Sequence, residues 1–320
     1  MRVITTSQYG PPEVLHAEER AVPSPRPNEV VVEVKAAGIN LMDTYVRRGL
    51  HGLATTPLAL GVEGAGVVTA VGGQAMARVG DRVAWEHVPG SYADLVAVPA
   101  DRLVPIPDGV SFETAAAGLM QGLTAHYLSD AAVPVPRDAL VLVHSAGSGV
   151  GRMLTQLVTH RGGRVIATVS RPHKAAAAVD AGAWRVLVRD ETEDLGAALK
   201  ELTDGKGVDI VFDGTGKTLF EVSVSAVRFG GTFAAYGYAG GPIPPINLWE
   251  QPPGVRLVTF RGATAQTPDE WRRSALQVMR WIEDGTLDVL IDRTYPLEDA
   301  ASAHRDLESQ ETVGKLLLIP

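Results

Sequence analysis

The sequence predicts an α/β protein of two domains, a mostly-β domain joined to a doubly wound parallel sheet. A length of 320 residues suggests two domains at about 150 residues each. Before about residue 120, short β-branched runs alternate with glycine and proline turns, which is typical of a compact β domain. From about residue 139 the pattern becomes strand, glycine turn, helix and strand, which requires a parallel sheet.

The strands of the first domain are apolar runs bounded by turn signals. The four runs that we interpret as strands are Val30–Val34, Gly66–Val71, Arg82–Ala84 and Leu95–Val98. An amphipathic helix over Glu270–Asp284 and a closing strand over Lys315–Ile319 follow after the parallel sheet is complete, so we assign both to the first domain. The predicted boundaries are residues 1–121 and 263–320 for the β domain and 122–262 for the parallel-sheet domain.

The second domain begins with a fully buried strand at Leu140–Val143. Apolar residues then recur at helical spacing on one face, from Val150 to Val158, and two glycines end that helix at Gly162. Pro172 stands near the start of the next helix and Gly182 at its end. The remaining predicted strands are Val165–Val169, Arg185–Val188, Val208–Phe212 and Thr232–Ala235.

Composition excludes several classes of function. The formal net charge of −8 argues against nucleic acid and anionic membranes as partners. With no cysteine there is no disulfide, no thiolate zinc site and no cysteine nucleophile. No run approaches about 18 consecutive apolar residues, and the N-terminus has no apolar core of a signal peptide. We therefore expect a cytoplasmic, mildly acidic globular protein.

The strongest chemical signal is a glycine-rich loop between the first strand and first helix of the second domain. The segment His144–Gly151 reads HSAGSGVG. Glycines at such a turn let the backbone approach a diphosphate, whose charge is met by amides at the helix N-terminus. The G-x-G-x-x-G fingerprint is incomplete, because Ala146 and Ser148 stand at its first two glycine positions. A tight structural turn is the alternative, and the strand–turn–helix context favours dinucleotide binding.

The end of the second strand indicates which dinucleotide is bound. An NAD-specific site has an acidic residue there to bind the ribose hydroxyls. This chain has Ser170, Arg171 and Lys174 instead, and its first acidic residue is Asp180 in the next helix. A carboxylate would repel a 2′-phosphate, whereas Arg171 and Lys174 can pair with it. The sequence therefore favours NADPH over NADH, the alternative being that both cations are solvated at a helix start.

Four segments resemble a known family. They are Lys35–Tyr45 (KAAGINLMDTY), Leu60–Gly66 (LGVEGAG), Gly122–Thr124 (GLT) and Gly314–Pro320 (GKLLLIP). Together they are similar to the medium-chain dehydrogenase/reductase superfamily, in particular to its zinc-free NADPH:quinone oxidoreductase branch, which includes zeta-crystallin. The resemblance covers essentially the whole chain, and Asn40–Tyr45 is its most specific part.

The resemblance implies a GroES-like catalytic domain and a Rossmann domain, with NADPH and substrate in the cleft between them. It implies that the nicotinamide side of the cofactor contacts Asn40, Asp43, Tyr45 and Thr124. It implies that the phosphate loop is Ala146, Gly147, Ser148, Gly149 and Val150, and that Lys174 binds the 2′-phosphate. Further contacts at the strand ends are implied for Asp213, Gly214, Thr215, Gly216, Tyr236 and Gly237.

The chain also departs from its relatives. Asn40 stands where zinc alcohol dehydrogenases carry a ligand cysteine, and Val62 where they carry a ligand histidine. Arg189 replaces a tyrosine that often stacks by the adenosine, and Tyr238 replaces a polar residue after Gly237. We therefore expect no metal, and the adenine contacts and the size of the substrate pocket stay open.

Hydride transfer without a metal restricts the acceptor. A quinone or an α,β-unsaturated carbonyl delocalises the added charge, so weak hydrogen-bond donors suffice. By family position, Asn40 and Tyr45 are the candidate catalytic residues, orienting the nicotinamide ribose or the acceptor oxygen, with water as a candidate proton source. The leading hypothesis is an NADPH:quinone oxidoreductase. The alternatives are an alkenal or enone double-bond reductase and an NADPH-binding structural or regulatory protein.

The candidate residues have structural interpretations as well. Asn40 could satisfy a buried turn, and Tyr45 could belong to the core with its hydroxyl paired to backbone. Asp43 is interpreted as structural, because a carboxylate beside a hydride acceptor is electrostatically unfavourable. Glu63 is interpreted as a buried hydrogen-bonded or ion-paired group, and His144 as packing under the glycine loop.

The resemblance further implies a homodimer formed through an edge of the parallel sheet. We expect Thr232–Ala235 and Arg256–Phe260 at that edge. Loop residues His51–Thr56 and Tyr238–Ile246 are the candidates for the far side of the substrate pocket.

Overall fold

The computed structural model describes residues 1–50, 55–260 and 266–320. The helices are α1 (Leu41–Arg47), α2 (Phe112–Tyr127), α3 (Gly149–His160), α4 (Ala175–Asp180), α5 (Leu195–Leu202), α6 (Phe220–Ser225), α7 (Pro268–Glu283) and α8 (Ala300–Glu308). The strands are β1 (Arg2–Thr6), β2 (His16–Glu19), β3 (Glu29–Ile39), β4 (Leu58–Ala59), β5 (Glu63–Val71), β6 (Arg82–Trp85), β7 (Leu95–Pro99), β8 (Val104–Pro105), β9 (Leu140–His144), β10 (Arg164–Val169), β11 (Arg185–Val188), β12 (Val208–Asp213), β13 (Val227–Ala235), β14 (Arg256–Thr259), β15 (Ile291–Pro296) and β16 (Lys315–Ile319).

The chain divides into two compact units. The first comprises Met1–Met120, Pro268–Gly285 and Val289–Pro320, and the second Gln121–Thr267 and Thr286–Asp288. The boundary after Met120 falls within α2.

The first unit is built on a seven-stranded mixed sheet. Six of its strands follow the order β15-β16-β3-β5-β6-β8, and β7 pairs with β3. β3 is central: its valines Val30, Val31, Val32 and Val34 are buried, and β5 and β16 pair antiparallel on its two sides. Gly38 of β3 is opposite Glu63 of β5 and also opposite Leu317 of β16. The closing strand thus lies beside β3 in the first unit.

The second unit contains a six-stranded sheet in which every pair is parallel. Its order is β11-β10-β9-β12-β13-β14, the doubly wound arrangement of a dinucleotide-binding fold. β9 is central because its apolar run is buried on both faces, which a parallel sheet covered by helices requires. The predicted fold class, a mostly-β unit with a doubly wound parallel-sheet unit, is confirmed.

One expectation about this sheet is wrong in part. Thr232–Ala235 belongs to β13, which lies one strand in from the edge, because its backbone pairs with β12 on one side and with β14 on the other. In the described part of the chain, only β14 of the two predicted strands ends the sheet at this side.

Candidate functional site

The first unit holds three polar side chains in mutual contact, the Asn40 cluster, which consists of Asn40, Glu63 and Lys315. Lys315 Nζ donates to Asn40 Oδ1 at 2.7 Å and also to Glu63 Oε1. Asn40 Nδ2 donates to the same Glu63 oxygen at 2.7 Å. The Lys315 side chain is 2% exposed and that of Glu63 is fully buried, whereas Asn40 is half-buried. Asn40 is therefore the member that a ligand can reach.

A second set of contacts, the Arg47 chain, connects to this cluster through Asp43 and consists of Arg47, His304, Tyr92 and Asp43. Arg47 Nη1 lies 2.9 Å from His304 Nδ1, and His304 Nε2 lies 3.2 Å from Tyr92 Oη. Tyr92 Oη donates to Asp43 Oδ2 at 3.0 Å, and the Asn40 N–H donates to the same oxygen at 2.8 Å. All four side chains are buried.

The direction of every hydrogen bond in the Arg47 chain follows from its ends. A guanidinium can only donate, so His304 Nδ1 accepts and the ring proton is on Nε2. His304 Nε2 then donates to the Tyr92 oxygen, and the Tyr92 hydroxyl donates to Asp43. Burial, with the charge of Arg47, lowers the pKa of His304 to about 3, so the ring is neutral.

Asp43 is a buried carboxyl group that accepts two hydrogen bonds, one from the Asn40 N–H and one from the Tyr92 hydroxyl. Burial raises its pKa to about 7, although the bond from the Asn40 N–H and the charge of Lys315 act in the other direction. Asp43 is the N3 residue of α1, and its bond to the Asn40 N–H satisfies a donor at the start of that helix. The structural interpretation of Asp43 is thus supported by its contacts. Tyr45, on the same helix, is half-buried.

In the second unit the glycine loop, residues 145–151, joins β9 to α3. Ser145 has a positive φ of 55°, and the Ala146 N–H donates to Thr168 O at 3.1 Å, which holds the loop against β10. A Cβ on Gly151 would lie 2.5 Å from Ser145 O, so only glycine allows α3 to begin this close to the strand. The Ser148 side chain makes no cap hydrogen bond in the described structure, which leaves the first-turn amides of α3 for an anion.

A buried polar chain lies under the glycine loop at the carboxyl ends of the parallel strands. His144 Nδ1 is 2.8 Å from Thr168 Oγ1, and His144 Nε2 is 2.9 Å from Ser223 Oγ. Ser223 in turn donates to Asp213 Oδ2 at 2.7 Å, and Asp213 Oδ1 accepts from the Thr215 N–H at 2.6 Å. Burial lowers the pKa of His144 to about 4 against the charge of Asp213, so this histidine is neutral. His144 thus connects β9 to β10 and α6 beside the glycine loop, which supports the interpretation that its role is structural.

The predicted 2′-phosphate residues lie at the end of β10. Lys174 is 6% exposed, and a Cβ on Gly147 would lie 3.0 Å from both its Cβ and its carbonyl oxygen, so Lys174 lies against the loop. Arg171 is exposed and forms an ion pair with Asp190. A 2′-phosphate would have to compete with Asp190 for Arg171, which makes Lys174 the stronger candidate.

The remaining predicted cofactor positions have these locations. Thr124 is half-buried on α2, and Tyr236 lies at the end of β13, where its ring occupies the space that a side chain on Gly214 would need. Burial raises the pKa of Tyr236, so its hydroxyl keeps its proton. Of the segments predicted to form the far side of the pocket, residues 51–54 lie outside the described residues, and Tyr238 is half-buried.

Sequence reasoning missed the partners of these residues. Lys315 was interpreted only as part of a closing strand, although a lysine directly before the apolar run Leu316–Ile319 was an available signal. Tyr92 and Arg47 carried no local signal. Their partners are remote in sequence, because Arg47 and His304 are 257 residues apart.

Comparisons with known proteins identify the family. Residues 26–108 match the family model described as alcohol dehydrogenase GroES-like domain, and residues 149–281 match that described as zinc-binding dehydrogenase. The two matches define a dehydrogenase with a GroES-like domain and a nucleotide-binding domain. The chain is 37% identical to a quinone oxidoreductase of Pseudomonas aeruginosa, over 99% of each chain. It belongs to the quinone oxidoreductase branch of the medium-chain dehydrogenase/reductase superfamily, which confirms the resemblance.

Two further relatives are informative. The structure of Escherichia coli quinone oxidoreductase complexed with NADPH superposes with a TM-score of 0.95 over 100% of both chains, at 36% identity. A 2-haloacrylate reductase of a Burkholderia species is 34% identical, over 97% of this chain and 96% of its own length.

The name of one matched family model implies zinc, and the residues here do not fit it. Val62 has no donor atom, and Asn40 already accepts a hydrogen bond from the ammonium of Lys315, which would repel a metal ion. The described residues contain no group of three or more His, Asp or Glu side chains that could hold a metal.

No helix in the described part of the chain has the length and apolarity needed to cross a membrane.

Proposed function

We propose that this protein is an NADPH-dependent quinone oxidoreductase that works without a metal ion. The observation that carries the proposal is the superposition of the whole chain on a quinone oxidoreductase complexed with NADPH. The glycine loop supports it, since the uncapped first turn of α3 and the close approach at Gly151 fit a bound diphosphate. In the overall reaction NADPH, one proton and a quinone give NADP⁺ and a hydroquinone.

The residues have the following roles in this proposal. When bound, NADPH supplies the hydride, which carries two electrons. The amides of the glycine loop bind the diphosphate, and Lys174 binds the 2′-phosphate. Asn40 donates a hydrogen bond to the acceptor oxygen as charge develops there, and Tyr45 orients the acceptor or the ribose. The cleft between the two units, in which these groups would meet, stays a prediction.

The acceptor class is tested by following NADPH oxidation with one o-quinone, one p-quinone, one enone and one aldehyde. We expect turnover of the quinones. Turnover of the aldehyde alone would overturn the proposal, and binding of NADPH without any turnover would favour a binding protein. Turnover of the enone alone would favour a double-bond reductase, the second candidate, which the 34% identical 2-haloacrylate reductase supports.

The cofactor assignment is tested by Lys174→Ala. Loss of a charge-assisted hydrogen bond to the 2′-phosphate is expected to weaken NADPH binding by about 10- to 100-fold. NADH has no 2′-phosphate, so its dissociation constant should stay within about twofold, as measured by fluorescence titration. Lys200→Ala, at an exposed lysine of α5, is the control and should change neither affinity. Equal losses for the two cofactors would show that Lys174 does not contact the 2′-phosphate.

We further propose that the enzyme works in the cytoplasm, where it would draw on a free pool of NADPH. We also propose that it forms a homodimer through β14. Exposed Phe229 and Trp249, in the segment that contains β13 and leads to β14, support an apolar interface. Size-exclusion chromatography showing only a 33.8 kDa species would contradict the dimer.

A further inference from the structure

The Asn40 cluster holds a buried ion pair whose position in the sheet is specific. Glu63 begins β5 and Lys315 begins β16, and β3 runs between these strands. A Cβ on Gly38 of β3 would lie 2.3 Å from Glu63 Oε1. A glycine at this position therefore lets the Glu63 carboxylate reach across β3 to the ammonium of Lys315.

Stability is a poor explanation for this ion pair. Removing both charges from water costs about as much as their attraction returns, and well-packed apolar replacements are often neutral or stabilising. Glu63 Oε2 is also buried without a hydrogen-bond partner among the described residues, so the carboxylate is not fully satisfied. The pair is better explained by what it does to the residue that both partners contact.

That residue is Asn40, and the pair determines the orientation of its amide. An ammonium has only donors and a carboxylate only acceptors, so Asn40 must direct Oδ1 to Lys315 and Nδ2 to Glu63. A flipped amide would place Nδ2 against the ammonium and Oδ1 against the carboxylate. One N–H of Nδ2 is then left over, and the cation at Oδ1 polarises the amide and strengthens that N–H as a donor.

We propose that Lys315 is a positioning residue for acceptor reduction: its ammonium, held by Glu63, fixes the Asn40 amide so that Asn40 offers an N–H to the acceptor oxygen. The inference rests on the proposed function. Asn40 is the residue that, by the resemblance, stands where zinc relatives carry a ligand cysteine, so in this chain the buried ammonium of Lys315 acts on the acceptor through Asn40. Lys315 itself is too buried to touch the acceptor.

The orientation is measured directly by NMR, because the chain has only three asparagines, Asn28, Asn40 and Asn247. Asparagine labelled with ¹⁵N gives three pairs of side-chain amide signals, and Asn40→Ser identifies one of them. We expect Lys315→Met to move the Asn40 signals toward those of a solvated amide and to speed their exchange with water. Lys35→Met removes the exposed ion pair with Glu33 and should leave them unchanged. Asn40 signals that do not respond to Lys315→Met would overturn the proposal.

Kinetic measurements test whether the orientation of the Asn40 amide affects quinone reduction, and they use a double variant that is designed to fold. Lys315→Met alone leaves Glu63 buried and unpaired, so Lys315→Met/Glu63→Leu is compared with it. We expect kcat with a quinone to fall about 10- to 100-fold in both, as for the loss of supporting contacts in other sites. The NADPH dissociation constant should stay within about twofold. A wild-type kcat in the folded double variant, or a loss confined to NADPH affinity, would contradict the proposal.

The connection through Asn40 is isolated by a double-mutant cycle. Asn40→Ala should lower kcat strongly in the wild-type background and by less than about threefold in the Lys315→Met/Glu63→Leu background. Equal factors in the two backgrounds would show that Lys315 does not act through Asn40. If the wild-type protein reduces no quinone, the proposed function fails while the NMR measurement still decides the orientation.

Discussion

Arg47→Met is expected to lower the free energy of unfolding of the first unit by about 3 kcal/mol, at the lower end of the range for breaking a buried ion pair. The guanidinium is 1% exposed and donates to Gly10 O at 3.0 Å, to His304, and to both oxygens of Glu308 at 2.7 and 2.9 Å. Methionine matches much of the volume but leaves these acceptors without a donor. Glu308 is 28% exposed and can still be hydrated, which limits the cost.

Urea denaturation measures this loss, and the control is Arg305→Met. Arg305 lies on α8 like Glu308, and its ion pair with Glu13 is about half exposed on each side. Exposed pairs contribute about 0–1 kcal/mol, so the midpoint of the control should barely move. Equal shifts for the two variants would mean that the buried contacts of Arg47 contribute no more than a surface ion pair.

Local signals predicted most of the second unit. The run Leu140–Val143 is apolar on both faces, and the residues from Val150 to Val158 repeat at helical spacing, so a buried strand and an amphipathic helix follow from neighbouring residues alone. The glycine loop between them was predicted for the same reason. The prediction that Thr232–Ala235 lies at the sheet edge was wrong, because the order of the strands in the sheet places β14 outside it. Strand order is not specified by neighbouring residues.

The polar contacts of the first unit could not be predicted in this way. Asn40 and Asp43 were found through the family motif, but the groups that hold them come from other segments. Lys315 is 275 residues from Asn40, and His304 is 212 residues from Tyr92. Their partnership depends on β16 pairing with β3 and on α8 packing near α1, which no pattern within a single segment specifies.

Asp43→Asn is expected to stabilise the protein in alkaline solution relative to its effect in acid. Burial raises the pKa of Asp43 in the folded state to about 7 from an ordinary 3.8, so the folded state holds its proton more tightly than the unfolded state. The stabilisation is complete below about pH 4 and is lost as the pH rises to about 7. A change of this size corresponds to about 4 kcal/mol.

Asparagine keeps the neutral state at every pH, since its Oδ1 can accept from the Asn40 N–H and from the Tyr92 hydroxyl. The difference in free energy of unfolding, variant minus wild type, should therefore increase between about pH 4 and pH 7 and favour the variant at pH 8. The pKa values of His144 and His304 are lowered in the fold, so wild type and variant both gain stability as the pH rises toward about 6.5. This contribution is the same in the two proteins and cancels in the difference.

Asp94→Asn serves as the control of opposite sign. Burial alone would raise the pKa of Asp94, but hydrogen bonds from the N–H and guanidinium of Arg2 outweigh it and the pKa is lowered. This carboxylate stabilises the fold above its unfolded pKa and loses that stabilisation as the pH falls, so the variant should be less stable than wild type at pH 8. If Asp43→Asn also lost stability at pH 8, the hydrogen bonds from the Asn40 N–H and Tyr92 and the charge of Lys315 would outweigh burial, and the pKa of Asp43 would not be raised.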